Sequence, residues 1–307
     1  MGAMVKGKVI AVANMKGGVG KTATVVALAE ALAAADGAKV LVIDLDAQAN
    51  ASIVLAGDSY LAAMIRDGRT IDAFLEDYLM RGKKKKFDSC IRDHISEVTH
   101  LGHPLHVSLL ASSAELRTLE LRMIYKLTKK KELNLEEIVG GIWGVIKEQL
   151  SRSVKSFDYI LIDCAPGISV LTEASIRLAD LVIVPTIPDT LSTYGLQAFC
   201  KTVWQGQSET GKLYKKPRGV IPHVLITRRR PILEHNRTVE RMRNEVRAPD
   251  PSFSVFATEI PERAAIADAL AKTGTFPNFT NKWSAPVADI LQQLAFETRE
   301  VLNGSRH

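Results

Sequence analysis

The chain predicts a doubly wound, mostly parallel α/β sheet flanked by helices, a P-loop type of architecture, and three observations carry that expectation. Short β-branched apolar runs recur along it, helical patterns separate them, and a glycine-rich turn joins the first run to the first helix. Runs that are apolar throughout, without alternation, belong to strands covered on both faces, as in a parallel sheet. Strand, helix and strand in steady succession is the order of an open wound sheet.

In order, the strands are KVIAVAN (8–14), KVLVIDLD (39–46), LHVSLLA (105–111), DYILIDCAP (158–166), DLVIVPT (180–186) and GVIPHVLIT (219–227). Helical periodicity is readable over 21–35, 113–126, 134–151, 170–179, 191–206, 232–246 and 284–302. Two stretches break the rhythm. RGKKKKFD (81–88) reads as a solvated lysine loop, and RAPDPSFS (247–254), with two prolines, as a turn before a further short strand. No internal repeat or long linker appears, so residues 5–303 are expected to form one domain. Residues 1–4 (MGAM) read as a cloning scar, and 304–307 as a tail.

A length of 307 residues suffices for a sizeable core. The 46% hydrophobic and 24% charged fractions are ordinary for a soluble protein and name no class. A net charge of +6 permits a polyanionic partner, DNA or an acidic membrane surface, without requiring one. Cys90, Cys164 and Cys200 have neither paired nor metal-ligand spacing, which argues against a disulfide framework or a cysteine-ligated cluster and fits a reducing cytoplasm. No apolar run approaches the roughly 18 residues of a membrane span, and no signal-peptide core is present.

The stretch NMKGGVGKTAT (14–24) sits between the first strand and the first helix. In such a turn successive backbone N–H groups point inward and the helix terminus adds partial positive charge, so a phosphate is cradled wherever no side chain intrudes. Gly17, Gly18 and Gly20 supply the clearance, with Val19 between them. Lys21 reaches the β- and γ-phosphates, and the Thr22 hydroxyl is placed to ligate Mg²⁺. The ordinary pattern G-x-x-x-x-G-K-[ST] fails, because Met15 stands at its first glycine. Two acidic strand ends support the loop nonetheless. Asp44 and Asp46 close the second strand, and Asp163 follows four apolar residues in the Walker B arrangement, where a carboxylate takes a water ligand of Mg²⁺. All three motifs fall at the carboxyl ends of parallel strands, where such sheets bind ligands.

KGGVGKT, with Lys16 ahead of its first glycine, resembles the deviant Walker A box of the ParA/MinD family of ATPases. The likeness extends through DLDAQAN (44–50), DYILIDCAPGISVLTEASIRLADLVIVPT (158–186) and FATEIPERAAIADALAKTGTFP (256–277), nearly the whole chain. It implies an ATP/ADP cycle with Mg²⁺, a nucleotide bound along Gly17 to Ala23, and a homodimer that sandwiches ATP. Lys16 would cross to the partner's phosphates, Asp46 would orient the attacking water, and Asp44 would support Mg²⁺ through water. Adenine would lie by Thr227 and Pro261. With no glutamine or arginine finger nearby, turnover is expected to be slow and stimulated by a partner. Ala23, Met15 and Ala47 depart from the residues the family commonly carries there, which leaves association strength and hydrolysis rate open.

The family divides by what the ATP dimer binds. A MinD-like membrane positioner ends in a basic amphipathic helix, whereas the closing helix here carries Asp289, Glu297 and Glu300 and lacks lysine; its stripe of Val287, Ile290, Leu291, Leu294 and Val301 reads as packed on the domain. Residues 201–250 are rich in lysine and arginine, among them Lys212, Lys215, Lys216 and Arg218, which suits sequence-independent contact with DNA phosphates. Arg230, Arg237 and Arg241 are the candidate DNA contacts. The expectation is therefore the ParA (partition) branch: a cytoplasmic, nucleoid-associated ATPase with a ParB-like cargo adaptor, no membrane partner, and no amino-terminal operator-binding extension. A MinD-like regulator and a metabolic P-loop ligase are the alternatives.

Overall fold

The computed structural model describes residues 7–83, 85–131, 135–153, 156–205, 221–249, 251–271 and 278–304. Lys84, Lys212, Lys215, Lys216, Arg218 and residues 1–4 lie outside them, as does most of the expected tail. In chain order the elements begin β1 (Lys8–Val12), α1 (Lys21–Asp36), β2 (Val40–Leu45), α2 (Asn50–Ala56), α3 (Asp58–Arg66), α4 (Ile71–Leu75), β3 (Thr99–His100), β4 (His103–Pro104) and β5 (Val107–Leu110). They continue α5 (Glu115–Lys131), α6 (Leu135–Ser153), β6 (Tyr159–Cys164), α7 (Val170–Leu178), β7 (Leu181–Thr186), α8 (Thr190–Cys200), β8 (His223–Arg229), α9 (Leu233–Glu245), β9 (Ser254–Pro261), α10 (Ala264–Ala271), α11 (Phe279–Trp283) and α12 (Ala285–Gly304).

Seven strands pair in the order β5-β2-β6-β1-β7-β8-β9, and every pairing is parallel. The chain runs from central β1 out to β5, returns through β6, then continues to β9 on the other side. β1 and β6 therefore flank the point where the winding reverses, where open sheets form their ligand crevice. Period-two alternation divides the strands between two cores: Val9 and Ala11 face one side with Leu116, Ile138, Leu171 and Leu196, while Ile10 and Val12 face the other with Leu28, Leu32, Leu291 and Leu294.

The six strands named from sequence are present, and β9 is the short strand expected after the prolines. Between β2 and β5, where periodicity names no helix, the chain folds α2, α3, α4 and the small hairpin β3/β4. These helices are too short for a 3.6-residue pattern to develop. Local chemistry bounds them instead: Gly57, at φ 74, separates α2 from α3, and the Thr70 side chain accepts the Ala73 N–H to start α4. In the lysine loop, Lys83 and Lys85 lie 3.3 and 3.6 Å from Asp77 carboxylate oxygens, so part of that run is tied to the body.

Helix α12 packs against α1 and β9, with Val287, Leu291 and Leu294 buried. Beneath it, fully buried Glu30 of α1 accepts hydrogen bonds from Lys282 Nζ (2.6 Å) and Trp283 Nε1 (2.8 Å). Removing one partner of such a pair strands a buried charge. Glu30→Ala is expected to destabilise the protein by about 3–5 kcal/mol, read as a lower urea midpoint at unchanged slope; a loss below about 1 kcal/mol would mean that water reaches Lys282.

Candidate functional site

The glycine turn is held from below by a side chain the sequence analysis gave no role. Asn14, nearly fully buried, donates from Nδ2 to the Pro185 carbonyl (2.8 Å) and accepts the Lys16 N–H on Oδ1 (2.9 Å). Gly18 and Gly20 adopt φ of 74° and 91°, the left-handed region that side chains with a Cβ avoid. Thr227, at the end of β8, donates to the Val19 carbonyl (2.8 Å) and ties a second strand to the turn. Lys21 opens α1 and folds back inside the curl, its Nζ donating to the Lys16 carbonyl (3.0 Å). Burial lowers the Lys21 pKa, opposed by the charges of Asp163 and Asp46.

Strand register brings the acids together. Asp163 pairs with Val12 on one side and with Asp44 on the other, so three adjacent strands end at one place. Thr22 Oγ1 donates to Asp163 Oδ2 (2.8 Å), while Asp163 Oδ1 is buried with no partner among the described residues. Burial, then the Asp44 charge, raises the Asp163 pKa well above the carboxylate range. Burial likewise pushes Asp44 up to about 6, against hydrogen bonds from Ser52 Oγ (2.7 Å), Ser52 N (2.9 Å) and Asp46 N (3.0 Å). Two buried carboxylates side by side, one with an orphaned oxygen and its other oxygen bonded to a threonine hydroxyl, fit a site that receives a divalent cation. Among the described residues no group of three or more His, Cys, Asp or Glu side chains forms a metal cage. Asp46 lies one residue past β2, half-buried, its Oδ1 accepting the Gln48 N–H (2.9 Å).

The two lysines of the turn are separated. Lys21 points into the curl, whereas Lys16 lies at its rim with a side chain 41% exposed, donating to Ser192 Oγ (2.8 Å) 3.7 Å from Asp189 Oδ2. Beside the turn opens an apolar cleft of about 280 Å³ lined by Gly20, Ala23, Thr227, Ile260, Pro261 and Trp283. Thr227 and Pro261 therefore share one cleft with the helix start. Arg228, in the left-handed region at φ 49, pairs with Glu262 (2.6 Å) at its lip.

The DNA candidates separate as well. Arg230 lies 3.4 Å from Glu262, so part of its charge is spent locally. Arg237 and Arg241 are exposed one turn apart on α9 and carry no ion pair among the described residues. Asn14 opens the quoted stretch and was legible in principle. Ser52, Asp189, Ser192 and Trp283 reach the site through tertiary packing that no local pattern announces.

A strand-turn-helix phosphate cradle, a lysine folded into it and a threonine bonded to a Walker B carboxylate define a P-loop nucleoside triphosphatase. A family model for an AAA domain matches residues 7–215. The chromosome partitioning protein ParA of Caulobacter vibrioides is 29% identical over 263 residues, 85% of this chain and 83% of that protein. The sporulation initiation inhibitor protein Soj of Bacillus subtilis is 27% identical over 197 residues, 64% of this chain and 65% of that protein. In fold, the chain resembles an ATP complex of McdA from Cyanothece (TM-score 0.65, 19% identity, 97% of each chain). It also resembles pNOB8 ParA bound to nonspecific DNA (TM-score 0.62, 19% identity, 97% of this chain and 99% of that one). Cobyrinic acid a,c-diamide synthase from Mycobacterium smegmatis, with bound ADP and magnesium, shares the fold at TM-score 0.57 and 22% identity, over 89% of this chain and 99% of that one. The chain belongs to the ParA family of deviant Walker A ATPases.

Proposed function

We propose that the protein is a partition or positioning ATPase that dimerises around ATP, holds nonspecific DNA in that state, and is released when a cargo-linked, ParB-like adaptor stimulates hydrolysis. It works as one unit over 5–303, in the cytoplasm and over the nucleoid. The observation that supports this reading is the division of labour between the lysines: Lys21 folds into the cradle, whereas Lys16 stands at the rim, partly exposed and held there by Ser192 and Asp189. A positive charge offered in trans stabilises phosphate only while two copies are together, which makes ATP a cohesive ligand and ADP a releasing one.

In this reading the backbone of Gly17 to Gly20 binds the phosphates, Lys21 neutralises them, and the cleft by Thr227 and Pro261 takes the adenine. Thr22, Asp163 and Asp44 would hold Mg²⁺, which would supply charge neutralisation at the phosphates. Asp46 orients the attacking water. The metabolic ligase alternative shares the fold and differs in needing a small-molecule acceptor, so ATP turnover without any acceptor separates the two. The membrane alternative is disfavoured because Val287, Leu291 and Leu294 of the α12 stripe are buried in the domain, where α12 packs on α1 and β9; among the described residues no helix is long and apolar enough to cross a membrane.

The test is a DNA titration with ATP, with ADP and at raised salt. Binding is expected with ATP alone and to weaken steeply as salt rises, since backbone contacts release counterions. Arg237→Ala and Arg241→Ala are each expected to weaken binding equally across sequences and to lower the salt slope by about 1. Equal binding in ADP and ATP, or retention on anionic liposomes in place of DNA, would overturn the assignment.

A further inference from the structure

We propose that Asp189 and Ser192, the first turn of α8, form a berth for Lys16 within its own subunit that competes with the partner's phosphates, so that these two residues set the nucleotide level at which copies join. The inference rests on the reading of Lys16 as the lysine offered across the dimer, and assigns that lysine a resting position.

The berth is built before the lysine arrives. Asp189 caps α8: its Oδ1 accepts the Ser192 N–H (2.6 Å), its Oδ2 accepts the Ser192 hydroxyl (2.9 Å), and its carbonyl accepts the Thr193 hydroxyl (2.7 Å). Because the Ser192 hydroxyl spends its proton on Asp189, its lone pairs are left for a cationic donor, and Lys16 Nζ occupies that place at 2.8 Å. The carboxylate adds attraction at 3.7 Å. The backbone end of Lys16 is fixed independently by Asn14, so moving between positions requires only the side chain to swing. Leu191 and Tyr194, on the same turn, are 78% and 77% exposed, and Met15 beside Lys16 is 42% exposed, so the berth lies in an apolar rim. A second copy seated over the phosphate turn would shield that rim in the event that draws Lys16 away.

Lys16 and Asp189 are both partly exposed, so the berth is weak, about two- to fivefold in equilibrium terms, as for exposed ion pairs generally. Each dimer vacates two berths, so the factor enters squared: removing the berth is expected to tighten ATP-dependent association by roughly 4- to 25-fold. The γ-phosphate of ATP, with about two negative charges, is expected to outbid it, whereas ADP lacks that group.

Sedimentation equilibrium of the full chain with Mg²⁺ and a slowly hydrolysed ATP analogue tests the idea in wild type, Asp189→Asn and Ser192→Ala. Asparagine keeps an oxygen to cap the Ser192 N–H while discarding the charge, and Ser192→Ala removes the direct partner while leaving the cap, so neither variant depends on an unfolded helix for its effect. Both are expected to dimerise more tightly, and the gain is expected to vanish in a Lys16→Ala background. Unchanged or weaker dimerisation in both, alongside a wild type that pairs with ATP, overturns the berth and leaves the dimer reading intact. A wild type that stays monomeric overturns both. Acetylation of Lys16 in the nucleotide-free protein, followed by mass spectrometry, isolates the resting contact: labelling is expected to rise in Asp189→Asn, and equal labelling overturns the contact whatever the assembly state.

Discussion

Lys21→Ala is expected to bind ATP about 100-fold more weakly than the parent chain, equivalent to about 3 kcal/mol for removing one member of a buried charge contact. The amine is nearly fully buried inside the phosphate turn, where it donates to the Lys16 carbonyl and feels the charges of Asp163 and Asp46. No other cation in the turn is placed to substitute, because Lys16 leans outward to Ser192. Isothermal titration measures the affinity directly, and a thermal melt alongside it separates lost binding from lost fold. Affinity within threefold of wild type would mean that the phosphates sit elsewhere.

The second large effect is on turnover. Asp46→Asn is expected to lower ATP hydrolysis by about 10²- to 10⁴-fold, the usual contribution of a positioned carboxylate in proton transfer or water orientation. Asparagine preserves the acceptor for the Gln48 N–H that shapes the start of α2, so the loss isolates the charge. The variant is expected to accumulate as an ATP dimer on DNA, since the step that releases it is gone. It also relieves repulsion, because the Asp46 charge raises the pKa of both Asp44 and Asp163. The nucleotide-free variant should therefore melt no lower than wild type. Phosphate release in single turnover and DNA retention after ATP dilution check the two halves; normal hydrolysis would move the water-orienting role to another side chain.

The parts of the molecule that announce themselves locally were legible in the sequence. Strands covered on both faces are apolar throughout, as in KVIAVAN and DYILIDC, and a glycine turn between strand and helix has few uses. Asp44 and Asp163 could be read as strand ends, yet their shared register, and the orphaned Asp163 oxygen that follows from it, exist only once β2 and β6 pair. The short helices α2 to α4 escaped because capping and a single glycine define them, with too few turns for periodicity. The resting position of Lys16 joins residues 176 apart in sequence, a contact that no spacing rule encodes. Arginine counts pointed to α9, but only the fold distinguishes Arg230, tied to Glu262, from Arg237 and Arg241, which stand outward.

Light scattering of wild type and Lys16→Ala, each with ATP and with ADP in the presence of Mg²⁺, bears most directly on the account. Wild type is expected at twice the monomer mass with ATP and at the monomer mass with ADP, and Lys16→Ala at the monomer mass with both while calorimetry still records ATP binding. A wild type that remains single with either nucleotide, or a Lys16→Ala chain that pairs as well as wild type, would contradict it.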